Sequence, residues 1–332
     1  MKQWRFWLGV VISLVCLVLV LWNVDFREVF TSLRRANYVW LVPASLPLVA
    51  TIACKVFRWQ LLFPGDHSAL RRRNLLSALM ISYALNTILP ARLGEVARAY
   101  VIGESERLSK SLAFSTIVVE KVLDVLTLLL FLVLLLPFVT LPSWIQQSAM
   151  VLAPVFLCLF GLILALAYQR RRTLAVVESV VGRIPRLDPQ PLIKSLDSAL
   201  SGFDVLGSLR ANLVLWGWSI AVWTTSGLFI LAVMVAFHID APPAASFLLL
   251  CVTSLGMTVP SSPGYIGVYH WLVVGTLQIF GVDRELALSF AFALHALTFL
   301  PLTLVGIYYM MRENYSLQRI EKGTLSGHSV SE

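Results

Sequence analysis

The chain has 332 residues, of which 58% are hydrophobic and 13% charged, with a net charge of +8 and a mean hydropathy of +0.81. A soluble domain holds roughly 45–50% apolar and about 25% charged residues, and a chain of this size in water still needs polar cover, so the composition excludes a soluble fold and makes lipid the solvent. The basic excess is unevenly spread and reports topology; no basic stripe interleaved with aromatics occurs on a soluble domain, which argues against a nucleic-acid partner.

In chain order, apolar runs lie near 5–22, 38–63, 74–90, 112–137, 148–168, 212–237, 244–260, 265–281 and 286–311. A span needs roughly 20 mostly apolar residues. The runs predict an all-α polytopic membrane protein of about seven to nine membrane helices in a single transmembrane domain, 1–311, with a disordered tail, 312–332. Lys2 and Arg5 precede a first run that no small-x-small cleavage site follows, so this run reads as a retained span. Cys16, Cys54, Cys158 and Cys251 sit inside apolar runs without a CxxC pair and read as small hydrophobes.

Arg71, Arg72 and Arg73 place loop 64–73 in the cytoplasm, and Arg170, Arg171 and Arg172 do the same for loop 169–211. Arg312, Arg319 and Lys322 place the C-terminus there, with the N-terminus on the same side of a bacterial-type plasma membrane. Loop 138–147 carries no charge and loop 238–243 only that of Asp240, and both are expected to face outward. Loop 23–37, with Arg27, Arg34 and Arg35, is basic on the expected outside and conflicts with this scheme. Within 191–209, Leu192, Leu196, Leu200, Phe203, Leu206 and Leu209 recur at helical spacing opposite Lys194, Asp197, Ser201, Asp204 and Ser208, which predicts an amphipathic helix on the cytoplasmic surface.

The stretch "NTILPARLGEVARAY", 86–100, breaks the topology. If 74–90 simply crossed, the basic loop 91–111 would lie outside. A re-entrant hairpin over 74–106, turning at Pro90, returns it to the cytoplasm. Non-helical backbone at membrane depth is tolerated only inside protein or along a watery cavity. A second such stretch is "TVPSSPGYIGVYH", 258–270. Pro90 and Gly94 are four apart, as are Pro260 and Gly264, and each stretch follows a serine-containing apolar helix. Paired Pro/Gly-interrupted segments predict an inverted repeat, with halves near 38–168 and 212–311, meeting at a substrate site. Asn86, Pro90, Gly94, Pro260, Pro263, Gly264 and Gly267 would shape the broken helices.

Arg92, Glu95 and Arg98 lie at i, i+3 and i+6, a spacing that suits a local ion network at a helix start or a site for an anionic head group. Each charge at bilayer depth costs about 2.5–3.5 kcal/mol on insertion scales. Glu120, Lys121 and Asp124 either stand wet at the start of the next span or complete the wall of the same cavity. Arg58 and Trp59 end the second span after Lys55; snorkelling to the cytoplasmic face accounts for them, and head-group capture on entry stays open. His270 and His295 follow the second punctuated stretch and read either as hydrogen-bonded structure or as groups that titrate near neutral pH and couple a proton.

The motifs N-x-x-L-P-A-R-L-G-E-x-x-R at 86–98, E-K-x-x-D at 120–124 and P-S-S-P-G-x-x-G-V at 260–268 together resemble the transmembrane, flippase-like domain of the lysylphosphatidylglycerol synthases, over nearly the whole chain. Lys121 stands where that family often has Arg, and His270 near where it often has Glu. The resemblance does not extend to a soluble acyltransferase domain within these 332 residues. The resemblance therefore implies lipid handling rather than lysyl-lipid synthesis, and it extends to an element like Arg58-Trp59.

No G-x-x-x-x-G-K-[ST], no H-E-x-x-H and no paired aspartates outside the membrane are present, so an ATP motor, a metal and a cofactor are not expected. Ser261 and Ser262 lack partners for nucleophilic catalysis. The expected function is a lipid flippase, not an enzyme, whose partner is a membrane lipid; a homodimer stays open. The alternatives are an enzyme acting on a lipid-linked substrate through Glu95, Glu120 or Asp124, and an accessory subunit.

Overall fold

The computed structural model describes residues 2–22, 24–65, 70–89, 93–139, 209–258 and 262–315, with scattered positions between 147 and 197. Pro90, Arg92, Pro260 and nearly all of the expected helix 191–209 lie outside the described residues. The described chain is helical throughout and contains no strand.

Helix α1, Lys2–Leu21, matches the first apolar run. The basic stretch expected as loop 23–37 is instead a helix, α2, Phe26–Arg35, set at 85° to α1. Asp25 caps it by accepting from the Arg27 amide at 2.8 Å. Its polar face, with Arg27, Arg34 and Arg35, is exposed, while Val29 is buried and its carbonyl accepts from Ser289 Oγ at 3.0 Å. The period of its few apolar residues is helical, but it lacks the length of a span, which is why hydropathy alone reads it as a loop.

A 3-10 turn at Tyr38–Trp40 leads into α3, Leu41–Leu61. Then come α4, Arg72–Ile88, α5, Leu93–Ser105, and α6, Lys110–Leu135. The C-terminal half holds α7, Leu209–Ala236, α8, Pro243–Gly256, a 3-10 turn at Pro263–Tyr265, α9, Val268–Gln278, and α10, Arg284–Arg312. Among the described residues three segments are long and apolar enough to cross a membrane, Tyr38–Leu61, Arg210–Ala236 and Arg284–Arg312, or four if the bent pair α1 and α2 makes one span. The 26-residue α6 has the length, but Glu120, Lys121 and Asp124 interrupt its apolar surface.

Helices α4 and α5 form an antiparallel hairpin. Glu106, just beyond α5, accepts from the Arg71 amide at 3.2 Å and from Asn74 Nδ2 at 2.7 Å, at the start of α4. At the other end the Gly94 amide donates to Asn86 Oδ1 at 2.9 Å, so a side chain of α4 takes up one of the unpaired amides at the start of α5. A Cβ on Gly94 would collide with the Ser82 carbonyl.

The packing has an exchanged pattern. Within the N-terminal half, α5 packs on α4 and α6; within the C-terminal half, α9 packs on α8 and α10. Across the halves, α4 packs on α10 and α8 on α6, while α3 and α7 lie against each other. Gly306 of α10 lets its backbone close onto the Met80 carbonyl of α4. The 3-10 turn touches α4 as well: Gly264, at φ +69°, faces the Thr87 carbonyl. The two Pro/Gly-interrupted stretches therefore meet through α4 and the turn.

Two apolar cores result. One gathers Trp59, Leu75, Ile81, Val101, Ile117 and Leu123 from α3 to α6. The other gathers Leu132, Val233, Leu248, Val273 and Phe290 from α6 to α10.

Candidate functional site in the helix interior

Four of the expected site residues form one buried ion cluster. Arg58, near the end of α3, is 0% exposed and does not snorkel to a surface. Its Nη2 lies 2.8 Å from Asp124 Oδ1 and 3.4 Å from Glu120 Oε1, and its Nη1 donates to Ser219 Oγ at 3.1 Å. Glu120 and Asp124 are one turn apart on α6, so a single guanidinium reaches both. Arg98, 1% exposed on α5, donates to Glu120 through both terminal nitrogens, at 3.2 and 2.9 Å. Its guanidinium lies 3.6 Å from the centroid of Trp59, whose own Nε1 donates to Thr116 Oγ1 at 3.0 Å. This is the planar, bidentate and stacked geometry that arginine supplies and lysine does not.

Glu95 and Arg98 thus pair across helices rather than with each other. Glu95 Oε1 lies 2.9 Å from Lys121 Nζ and accepts from Asn86 Nδ2 at 3.5 Å. The surroundings differ from those of the first cluster. The Lys121 side chain is 44% exposed and that of Glu95 19%, although Lys121 stands eleven residues into α6, about 16 Å along its axis. Glu95 Oε2 is buried without a hydrogen-bond partner, and so are Nε of Arg58 and Nε of Arg98. The Glu95–Lys121 pair is therefore the open end of an otherwise sealed network, and adjacency of Glu120 and Lys121 on α6 joins the two parts.

His270 and His295 occupy another place. Their rings are 5.0 Å apart, within a group of rings that includes Tyr269, Phe292 and Phe299. His295 Nε2 is 2.7 Å from the Gly264 carbonyl and so fastens α10 to the 3-10 turn. His270 is buried with Nδ1 unpartnered. Pro263 opens that turn, and Gly267, at φ +91°, closes on the Ser13 carbonyl of α1. Ser262 is tied to α1 too, its amide donating to Ser13 Oγ at 2.7 Å.

Sequence reasoning missed Ser219, Trp223 and Tyr83. Trp223 Nε1 donates to Asp124 Oδ1 at 3.2 Å, and Tyr83 Oη accepts from Lys55 Nζ at 2.8 Å. The available signal was the polar run Thr224, Thr225 and Ser226 and the recurrent tryptophans inside the apolar α7. Among the described residues no group of His, Cys, Asp and Glu side chains could hold a metal ion.

The chain is similar to a UPF0104 membrane protein of Methanothermobacter thermautotrophicus, 22% identical over 313 residues, 90% of this chain and 92% of that one. It is 24% identical over 340 residues to the glycosyltransferase AglD of Haloferax volcanii, a match that covers 93% of this chain and 54% of the relative, so the chain spans about half of that protein's length. It is 23% identical over 238 residues to a UPF0104 membrane protein of Methanocaldococcus jannaschii, covering 69% of this chain and 95% of the other. No solved structure matches. The family model described as the lysylphosphatidylglycerol synthase TM region matches residues 6–306, and the chain belongs to this family of multi-pass membrane proteins.

Proposed function

We propose that this protein is a transporter that moves a lipid with an anionic, phosphate-bearing head group, a phospholipid or a polyprenyl phosphate, across the plasma membrane. The carrying observation is the Glu95–Lys121 pair, a half-exposed ion pair leading into a buried charge network. Across the interior, Lys55, Arg58, Arg98 and Lys121 face Glu95, Glu120 and Asp124, which leaves one net positive charge, and Arg92 adds a second in the sequence. A phosphate matches that excess.

In this reading the α4–α5 and α8–α9 pairs are re-entrant hairpins of an inverted repeat. The exchange of α4–α10 and α8–α6 packing supports it. The acyl chains stay in the bilayer while the head group replaces Glu95 as partner of Lys121. Both termini face the cytoplasm, and outward movement of one negative charge gains about 2.3 kcal/mol per 100 mV of inside-negative potential. No bond is made or broken by this chain.

A second reading, an enzyme acting on a lipid-linked substrate with Glu95 as acid or base, is favoured by the transferase name of the Haloferax relative. The same experiment separates the two. The full chain is reconstituted in liposomes with labelled phosphatidylglycerol, phosphatidic acid or a polyprenyl phosphate in turn. At least one lipid is expected to cross several-fold faster than in protein-free vesicles, to lose that rate in Lys121→Gln, and to be recovered chemically unchanged. Background rates for every lipid would overturn the transport reading, and an altered lipid would establish the enzyme.

A further inference from the structure

The contact between α3 and α7 carries an inference that rests on the transport reading and extends it. Thr51, Lys55 and Arg58 lie at i, i+4 and i+7 on one face of α3; Ser219, Trp223 and Ser226 have the same spacing on α7. The faces meet antiparallel. Thr51 Oγ1 donates to Thr225 Oγ1 at 2.8 Å and lies 3.4 Å from Ser226 Oγ at one end, and Arg58 donates to Ser219 at the other. A polar lane thus runs for seven residues, about 10 Å, through an apolar helix pair.

Lys55 stands in the middle of this lane. Arg58, Arg98 and Lys121 each have a carboxylate oxygen within 3.4 Å. Lys55 has none among the described residues. It donates to Tyr83 Oη, and its Nζ lies 5.4 Å from the Tyr83 ring centroid and 5.8 Å from that of Trp223. Ring faces and one phenol orient an ammonium without neutralising it, and two of its three donors are left over. The position is connected to the open ion pair through α4: Tyr83 binds Lys55, and Asn86, one turn further on, contacts Glu95. The two lysines flank a single turn of α4.

We infer that Lys55 is a second anion position, where the phosphate of the lipid head group rests after leaving Lys121, held by the ammonium between the Tyr83 and Trp223 rings. A phosphate supplies acceptors for the two donors of Lys55 that Tyr83 does not use. Thr51, Thr225 and Ser226 continue the lane beyond it and offer hydroxyls to the rest of the head group.

The test uses the full chain in a neutral detergent, titrated with phosphatidic acid, with diacylglycerol as the neutral control and inorganic phosphate as competitor, read by native mass spectrometry. Wild type is expected to bind phosphatidic acid and not diacylglycerol. In a Lys121→Gln background, which leaves Lys55 as the remaining anion position, adding Lys55→Gln is expected to weaken binding at least tenfold and adding Lys55→Arg to leave it within about threefold, since tenfold corresponds to about 1.4 kcal/mol. Lys55→Met, an apolar side chain of similar length, carries the expectation if Lys55→Gln does not fold. Millimolar inorganic phosphate is expected not to displace the lipid; displacement would make free phosphate the occupant and overturn the lipid assignment. Unchanged binding when Lys55→Gln is added to Lys121→Gln, with transport lost in Lys121→Gln, overturns this inference alone. Lys55-dependent binding without transport by wild type leaves the position standing and overturns the transport reading.

Discussion

Glu120 accepts from Arg98 and lies 3.4 Å from Arg58, so removing its charge leaves the buried Arg98 without its carboxylate partner and Arg58 with Asp124 alone. Breaking a buried pair from one side costs about 3–5 kcal/mol. Glu120→Gln is expected to lower the thermal midpoint in detergent more than Asp124→Asn, because Arg58 then keeps Glu120. Equal effects would contradict the shared-carboxylate geometry. Arg98→Lys keeps the charge and loses the two-point contact and the stacking on Trp59; a loss of about 1.5–3 kcal/mol, the worth of a hydrogen bond to a charged group, is expected in the same measurement. The types of these residues were legible in the sequence as costly charges within apolar runs, but their partners were not. Local spacing suggested that Glu95 would pair with Arg92 or Arg98, and the structure gives Glu95 to Lys121 and Arg98 to Glu120 on another helix. Arg58 read as a snorkelling residue because it is three residues from a span end; the carboxylates that bury it come from more than sixty residues away.

Among the elements, α4 and α5 owe their close contact to glycine. A methyl at Gly94 would meet the Ser82 carbonyl, and one at Gly306 would meet the Met80 carbonyl where α10 crosses α4. Backbone cannot yield as a side-chain tip does, so Gly94→Ala and Gly306→Ala are each expected to destabilise by about 1–3 kcal/mol, with Gly217→Ala, which has open space around it, as the control near zero. The thermal midpoint again decides. Hairpin geometry also fixes sides: the Arg71–Glu106 contact puts both ends of the α4–α5 pair together. Single cysteines at Arg73 and Arg107 are therefore expected to react with an impermeant maleimide from the same face, and labelling from opposite faces would contradict the hairpin. The long apolar helices were legible because hydropathy and length suffice when lipid is the solvent. Helix α2 was not, since its stability comes from one buried face against α10 rather than from apolar length.

At the scale of the molecule there are two apolar cores, and the buried ion cluster touches both, with Arg98 over Trp59 of one and Asp124 accepting from Trp223 of the other. The paired punctuation of the sequence pointed to two corresponding stretches, and the structure brings them together through Thr87 and Gly264. It did not reveal the lane between α3 and α7, because Thr51, Thr225 and Ser226 are short hydroxyl side chains that an apolar helix absorbs without a change of hydropathy. The central claim is that the open end of the charge network receives a lipid phosphate. A structure of the full chain in nanodiscs rich in phosphatidic acid tests it most directly. The expected result is a lipid phosphate within about 4 Å of Lys121 Nζ, the range of an ion pair, with the Glu95 carboxylate displaced from its 2.9 Å contact. A closed Glu95–Lys121 pair, with lipid phosphates only at the outer rim of the helices, would contradict it.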